Sequence, residues 1–312
     1  MLPALLLLVS AIVVAISGPR VLGRIDVARR DPSLLLVAWL AAILGVIATT
    51  VCSTVVLFLP EHGLTLASKI IFSHRTWKAL GHGASHGVEC LVGGSMAILL
   101  ASGAAWIGFR ILRATNRRVR AADKHADLLR VVARTESAMP DVLRLDHEQP
   151  VAFSLSGRRE FIVATEGVFR LGDAAAAAVI AHERAHLRGR HHALLTWVQT
   201  LGAALPFVPL FRGAPAAIAE LVELSADSVA ARACGPEAVR SALLHMAMRC
   251  PPTGALAMAD QAIEHRLARL AANPGRNSSL LWRLALRATA AAVAISAPLH
   301  LTITMLHLVV LA

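Results

Sequence analysis

The feature that most constrains the fold is an uncharged run of 26 residues, Leu34 to Leu59. A bilayer core about 30 Å thick requires a helix of about 20 apolar residues, so this run predicts a transmembrane helix. Three further apolar runs, at 2–16, 91–109 and 288–312, predict three more. The composition agrees, with 56% apolar and 16% charged residues and a mean hydropathy of +0.61. The chain is therefore predicted to be a multi-pass membrane protein.

The distribution of arginines predicts the topology. Arginines follow the first and third apolar runs, at 20–30 and 110–120, and cytoplasmic loops carry such an excess. We expect residues 1–111 to form three transmembrane helices with an outer loop at about 60–89. Residues 112–287 then form a cytoplasmic domain, and 288–312 a C-terminal transmembrane helix. Both termini are expected outside the cell membrane.

The net charge of +11 does not indicate nucleic-acid binding. The basic residues are 28 arginines and only three lysines, they are scattered, and the chain contains no tyrosine to interleave with them. The positive-inside pattern accounts for such a charge in a membrane protein. The expected partner surface is therefore the lipid bilayer, and no direct contact with nucleic acid is predicted.

The cytoplasmic region is predicted to be mainly α-helical with a small β element. An amphipathic helix is expected at about 121–138, ended by Pro140. The stretch 141–165 alternates in three pieces, and Gly157 and two arginines between the last two predict a strand pair with a turn. Its last strand, 161–165, is expected either to bind substrate backbone by edge addition or to be only structural. Asp173 is the expected N-cap of a long alanine-rich helix.

That helix carries the motif His182-Glu183-Arg184-Ala185-His186, an HExxH. Histidines at i and i+4 share one helical face and can bind the same zinc ion, and the glutamate between them can act as general base on water. A chance occurrence in a chain of this composition is expected only about 0.02 times. The motif predicts a zinc metallopeptidase with Glu183 as the catalytic base.

A catalytic zinc ion takes a third protein ligand, for which the sequence offers three candidates. His192 completes a formal HExxHxxGxxH pattern, but no convincing Met-turn accompanies it. Glu223 begins an ExxxD motif, in which Asp227 could hydrogen-bond a ligand histidine without contacting the metal ion itself. Glu220 lies nearly one turn before Glu223. We favour Glu223 as the ligand and keep His192 and Glu220 as alternatives.

Three stretches resemble the gluzincin membrane peptidases of the BlaR/MecR type and their HtpX relatives. They are Phe161-Ile-Val-Ala-Thr-Glu-Gly-Val, Ala178-Val-Ile-Ala-His-Glu-Arg-Ala-His-Leu-Arg-Gly-Arg-His and Glu223-Leu-Ser-Ala-Asp-Ser-Val-Ala-Ala-Arg-Ala-Cys-Gly. The resemblance implies a Zn²⁺ cofactor, ligated by the two histidines and the glutamate, and cleavage of a cytoplasmic protein. For the BlaR/MecR type that protein is a winged-helix repressor of the BlaI kind, cut in response to a signal.

Because the sequence ends at Ala312, we expect no penicillin-binding sensor domain, which is a departure from the BlaR/MecR pattern. We therefore expect a signal from elsewhere, through the outer loop, a sensor partner or a homo-oligomer. Two alternatives remain open. One is a broad quality-control protease of the HtpX type, and the other is a non-catalytic, zinc-stabilised signal transducer.

Two further expectations concern the neighbourhood of the motif. The apolar segment 194–211 must return to the side of His182 if Glu223 binds the same ion, so it is predicted to be bent or re-entrant. Because the chain lacks tyrosine, the oxyanion of the reaction would be stabilised by Arg232 or His191.

Overall fold

The computed structural model describes residues 2–25, 31–58, 85–136, 139–249 and 256–272. The helices are α1 (Leu2–Gly23), α2 (Pro32–Phe58), α3 (Ser85–Val132), α4 (Glu166–Phe169), α5 (Asp173–Arg188), α6 (His191–Ala204), α7 (Pro209–Cys234), α8 (Pro236–Arg249) and α9 (Leu256–Ala272). The strands are β1 (Arg134–Glu136), β2 (Met139–Leu145), β3 (Ala152–Ser156) and β4 (Glu160–Thr165). The prediction of a mainly helical chain with a small β element is confirmed.

The four strands form one mixed sheet in the order β1-β2-β4-β3. Strands β3 and β4 form the predicted hairpin, with Ser156 opposite Glu160. Strand β4 also pairs in parallel with β2, from Val142 opposite Ile162 onward. The hypothesis that 161–165 adds a substrate strand at its edge is therefore wrong, because β4 has a neighbour on each side. Its burial, with Ile162, Val163 and Ala164 at 0% exposure, explains why this run is continuously apolar.

Helix α3 corrects a second expectation. The third predicted span and the predicted amphipathic helix at 121–138 form one continuous helix, which ends at Val132 and not at Pro140. Residues 134–136 leave the helix to pair with β2, and Pro140 is the second residue of β2. Pairing with a neighbouring strand thus overrides the helical preference of this short stretch.

Helices α1, α2, α6 and α7 share one apolar core. Its largest fully buried side chains are Leu35 and Ile43 of α2 and Leu210 and Ile218 of α7. Among the described residues, one helix is long and apolar enough to cross a membrane, over Pro32–Val51, and a shorter apolar stretch covers Leu8–Gly23. Multiple spans therefore remain a prediction. The span at 288–312 and most of the 60–89 loop lie outside the described residues.

A second apolar region supports the HExxH helix. Helix α5 packs against α8 and the sheet through Ala175, Val179 and Ile180. Helix α7 extends between the two regions, with Leu210 in the first and Ala230 in the second. The segment 194–211 contains a bend, since α6 ends at Ala204 and α7 begins at Pro209. Whether it is re-entrant stays a prediction.

Candidate metal centre

Helix α5 places the three motif residues on its surface near its C-terminal end. Its N-cap is Gly172, with φ of 96°, and Asp173 is the first helical residue, which corrects the predicted N-cap by one position. Asp173 still lies in the first turn, where a carboxylate is favoured by the helix dipole. His182 and His186 follow one helical turn apart, so their imidazoles project from the same face.

Helix α7 brings Glu223 to these two imidazoles. The Nε2 atoms of His182 and His186 are 3.0 Å apart. Glu223 Oε2 lies 3.4 Å from His182 Nε2, and its Oε1 lies 3.5 Å from His186 Nε2. Among the residues that the structure describes, these three form the group that could hold a metal ion, with ligand atoms within 4.8 Å of one another.

The spacing of these ligand atoms fits a tetrahedral metal ion. Ligand bonds of about 2.0 Å give a tetrahedron with edges of about 3.3 Å, close to the 3.0, 3.4 and 3.5 Å separations found here. The fourth corner of such a tetrahedron remains for water or substrate, which is the arrangement of catalytic sites. Two imidazole nitrogens and a carboxylate are also a donor set that suits zinc.

Asp227 fixes the orientation of His182. The Nδ1 atom of His182 lies 2.9 Å from Asp227 Oδ1, so the ring donates this proton to Asp227 and its Nε2 atom faces Glu223. Asp227 is only 2% exposed, and Arg266 of α9 satisfies it with two hydrogen bonds, of 2.6 Å from Nε and 2.7 Å from Nη2. Carboxylates behind ligand histidines hold the ring and raise its basicity.

The electrostatics of the centre favour a bound cation. Burial disfavours the charged form of His182, but the hydrogen bonds to Asp227 and Glu223 outweigh it and raise the pKa of His182 to about 9. Burial opposes ionisation of Glu223 too, yet the hydrogen bond from His182 and the charge of Arg266 lower the pKa of Glu223 to about 2. The paired carboxylates thus attract positive charge to the position where the two Nε2 atoms meet.

His191 contacts the Nδ1 side of the His186 ring. Its Nδ1 lies 3.1 Å from His186 Nδ1, and both rings are buried. Burial lowers the pKa of His191 to about 4, so the neutral ring can accept the Nδ1 proton of His186. A Cβ at Gly189 would collide with the His191 ring. The glycine of the formal HExxHxxGxxH pattern therefore makes room for His191.

A cleft of about 250 Å³ opens beside the centre. Glu183 lines it together with His182, Glu223, Asp227 and Arg266. The opposite wall is apolar and comes mainly from α8 and α9, through Val239, Ala242, Leu243, Met246, Ala247 and Ile263. The cleft therefore brings the Glu183 carboxylate, the candidate metal-binding residues His182 and Glu223 and an apolar surface around one space.

The remaining candidates lie outside the group of three candidate ligands. His192 Nε2 is 3.0 Å from the Ser154 hydroxyl of β3, and the structure does not bring it into the ligand group. Glu220 pairs with His265 at 3.2 Å on an exposed surface. Arg232 is exposed in the last turn of α7 and is not among the residues that line the cleft.

Sequence reasoning missed Arg266. It lies 39 residues after Asp227 on a separate helix, in the charged run Glu264-His265-Arg266. Such a run usually indicates a solvated face. The nearby apolar positions Ile263, Leu267 and Leu270 were the available signal, since they indicate that this helix has a buried side.

Comparison with known proteins supports a peptidase domain at this position. Residues 118–250 match the family model described as Peptidase family M48. This range includes the HExxH helix, Glu223 and Asp227 but ends before α9. No curated protein and no solved structure matches the chain. Over residues 118–250 the chain therefore carries a metallopeptidase domain of Peptidase family M48.

Proposed function

We propose that this protein is a zinc-dependent endopeptidase of the cell membrane that cleaves a cytoplasmic protein. The convergence of His182, His186 and Glu223 beside Glu183 carries the proposal. A zinc ion held there would supply Lewis-acid chemistry, polarising the scissile carbonyl and making a water molecule more acidic. The apolar and uncharged α2 supports the membrane assignment.

Each residue of the cleft has a distinct task in this proposal. Glu183 takes the proton of the attacking water and passes it to the leaving amine. Asp227 and His191 hold the two ligand imidazoles in the tautomers that leave Nε2 free to bind. Arg266, with Nη1 3.6 Å from Glu223 Oε2, supplies a guanidinium at the cleft that can stabilise negative charge on the carbonyl oxygen. It replaces the two earlier candidates, Arg232 and His191.

The apolar wall supports an apolar side chain next to the bond that is cut. Leu243 and Met246 provide flexible, dispersion-rich contacts, and burying such a side chain is worth about 1.5–3 kcal/mol. The proposed substrate is a winged-helix repressor, on the strength of the resemblance to the BlaR/MecR type. A broad set of misfolded proteins is the alternative, on the strength of the resemblance to HtpX.

The test of catalysis is Glu183→Gln in the full-length protein. We expect unchanged zinc content and a loss of peptide hydrolysis of about 10²–10⁴-fold, because the amide cannot accept the proton. Equal hydrolysis by the variant and the unchanged protein would refute the peptidase. A phenotype that survives the substitution in cells would point to a zinc-stabilised transducer.

The test of substrate is a comparison of cleaved proteins in cells that carry the wild type or Glu183→Gln. A single repressor cut only by the wild type supports regulated signalling. Many cleaved proteins, increasing when membrane proteins misfold, would support quality control and exclude the repressor as the sole substrate.

A further inference from the structure

Helices α6 and α7 form a hairpin whose tip, Leu205–Val208, is apolar. No charged side chain occurs between His192 and Arg212. Phe207, in the tip, is 77% exposed, the highest value among the exposed large apolar residues. Exposed phenylalanine at the end of an uncharged hairpin is costly in water, and such surfaces indicate an apolar partner.

The tip lies beside the helix that qualifies as a membrane span. Leu210 and Phe211, just after the tip, are buried in one cluster with Trp39 and Ile43 of α2. A Cβ at Gly213 would lie 3.9 Å from the Trp39 ring and equally close to Pro19 of α1. The first turns of α7 therefore run alongside Pro32–Val51, and α2 stays uncharged to Phe58. A bilayer that surrounds α2 from the level of Trp39 to Phe58 would also surround the tip.

Of the three backbone N–H groups in the tip, two have internal hydrogen bonds. Leu205 donates its N–H to Leu201 at 3.0 Å, and Val208 donates to Leu205 at 3.2 Å. Pro206 and Pro209 have no N–H to satisfy. The third N–H, that of Phe207, has no internal partner among the described residues, and an unbonded N–H is costly in hydrocarbon. Any insertion into lipid is therefore shallow, with the Phe207 side chain entering further than its backbone.

Two arginines lie near the base of the tip. Arg212 is exposed in the first turn of α7, and Arg20 is exposed beside Pro19, which approaches Gly213. Arginine can bury its aliphatic stem in lipid while its guanidinium reaches the phosphates. Their position sets a limit to the depth, because the charged groups must remain at the level of the headgroups.

We propose that the α6–α7 hairpin inserts its tip into one leaflet of an anionic bilayer. Phe207 enters the acyl chains, and Arg212 and Arg20 bind lipid phosphates. The hairpin is then re-entrant, leaving the membrane on the side from which it entered, which allows Glu223 to return to His182.

The insertion fixes the height of the metal centre above the membrane. Glu223 is ten residues beyond Gly213 on α7, a rise of about 15 Å. Peptide bonds within about 15 Å of the headgroups would therefore be within reach, so membrane-proximal segments of proteins are the preferred substrates. This consequence rests on the proposed peptidase function, whereas the insertion itself does not.

The experiment measures depth with a nitroxide spin label at Phe207→Cys, in the full-length protein with its native cysteines replaced by serine. The protein is placed in nanodiscs of phosphatidylcholine and phosphatidylglycerol. The control label is at Leu244→Cys, which is 38% exposed on α8. We expect the ratio of collisions with oxygen to collisions with a water-soluble nickel complex to be several-fold higher at 207 than at 244.

Two results would overturn the proposal. Equal ratios at the two positions would place the tip in water. Low collision with both oxygen and nickel at 207 would show that protein, such as a second copy of the chain, covers it. Zinc content equal to that of the unlabelled protein confirms that both variants fold. Because the readout involves no hydrolysis, a failed Glu183→Gln test would leave it unaffected.

Discussion

His182 and Asp227 form the central hydrogen bond of the metal centre, with Nδ1 and Oδ1 2.9 Å apart. We predict that Asp227→Asn keeps the fold but lowers zinc affinity about 10–100-fold, since the charge behind the ligand ring is lost. The NH₂ group of the new asparagine would also face the Arg266 guanidinium, and two hydrogen-bond donors cannot pair with each other. Competition with a chelator measures the affinity. Glu220→Gln, on the same helix but paired with His265, should bind zinc like the wild type.

The third ligand can be tested by a pair of substitutions. Glu223→Ala should abolish stoichiometric zinc binding, because it removes one of the three converging ligands. His192→Ala should retain it, because His192 contacts Ser154 of the sheet. Metal analysis of the purified proteins decides between them, and loss of zinc in the His192 variant alone would reverse the assignment.

Arg266 is predicted to be essential for stability. Arg266→Met removes both guanidinium hydrogen bonds to the buried Asp227 and leaves His182 as its remaining partner. Breaking a buried pair costs roughly 3–5 kcal/mol. Denaturant unfolding in detergent measures the loss. Arg232→Met, at the exposed end of α7, should change the free energy of unfolding by less than about 0.5 kcal/mol. Similar losses in the two variants would contradict a special role for Arg266.

Gly189 is predicted to control His191. In Gly189→Ala the new methyl group collides with the His191 ring, so the ring moves away from His186 and zinc affinity falls about tenfold. Gly103→Ala is the control, since a Cβ there would meet nothing within 4 Å. Unchanged affinity in both variants would show that His191 does not support His186.

The apolar wall of the cleft is predicted to select the substrate. Leu243→Ala should lower kcat/KM for a peptide with a large apolar residue beside the scissile bond by about tenfold or more, with zinc content unchanged. The neighbouring Leu244 does not line the cleft, so Leu244→Ala should have little effect. If both variants cut the peptide equally well, another surface binds that side chain.

Local patterns predicted much of the centre. The i, i+4 spacing of His182 and His186 follows from helical geometry, and the ExxxD spacing places Glu223 and Asp227 one turn apart on a second helix. The β3–β4 hairpin was likewise predictable, since alternating residues flank a glycine-containing turn. All of these relationships join residues close together in sequence.

Relationships over longer distances were not predictable. The parallel pairing of β2 with β4 depends on a crossover, and nothing in the 161–165 run distinguishes a central strand from an edge strand. Arg266 reaches Asp227 only because α9 packs across α7 and α8. A charged residue on a helix gives no local sign of the buried partner that it will meet.

If the proposed insertion and metal site are both correct, helix α7 contacts lipid at one end and holds the metal ligand Glu223 at the other, so it couples the two. With Gly213 as the pivot, a rotation of about 5° would displace Glu223 by about 1.3 Å over the 15 Å between them. A metal site tolerates errors of only about 0.2 Å in ligand distance. Small changes in bilayer thickness or in the tilt of α2 would thus move Glu223 toward or away from His182 and His186. The state of the membrane would then control whether the proposed peptidase can bind its metal ion.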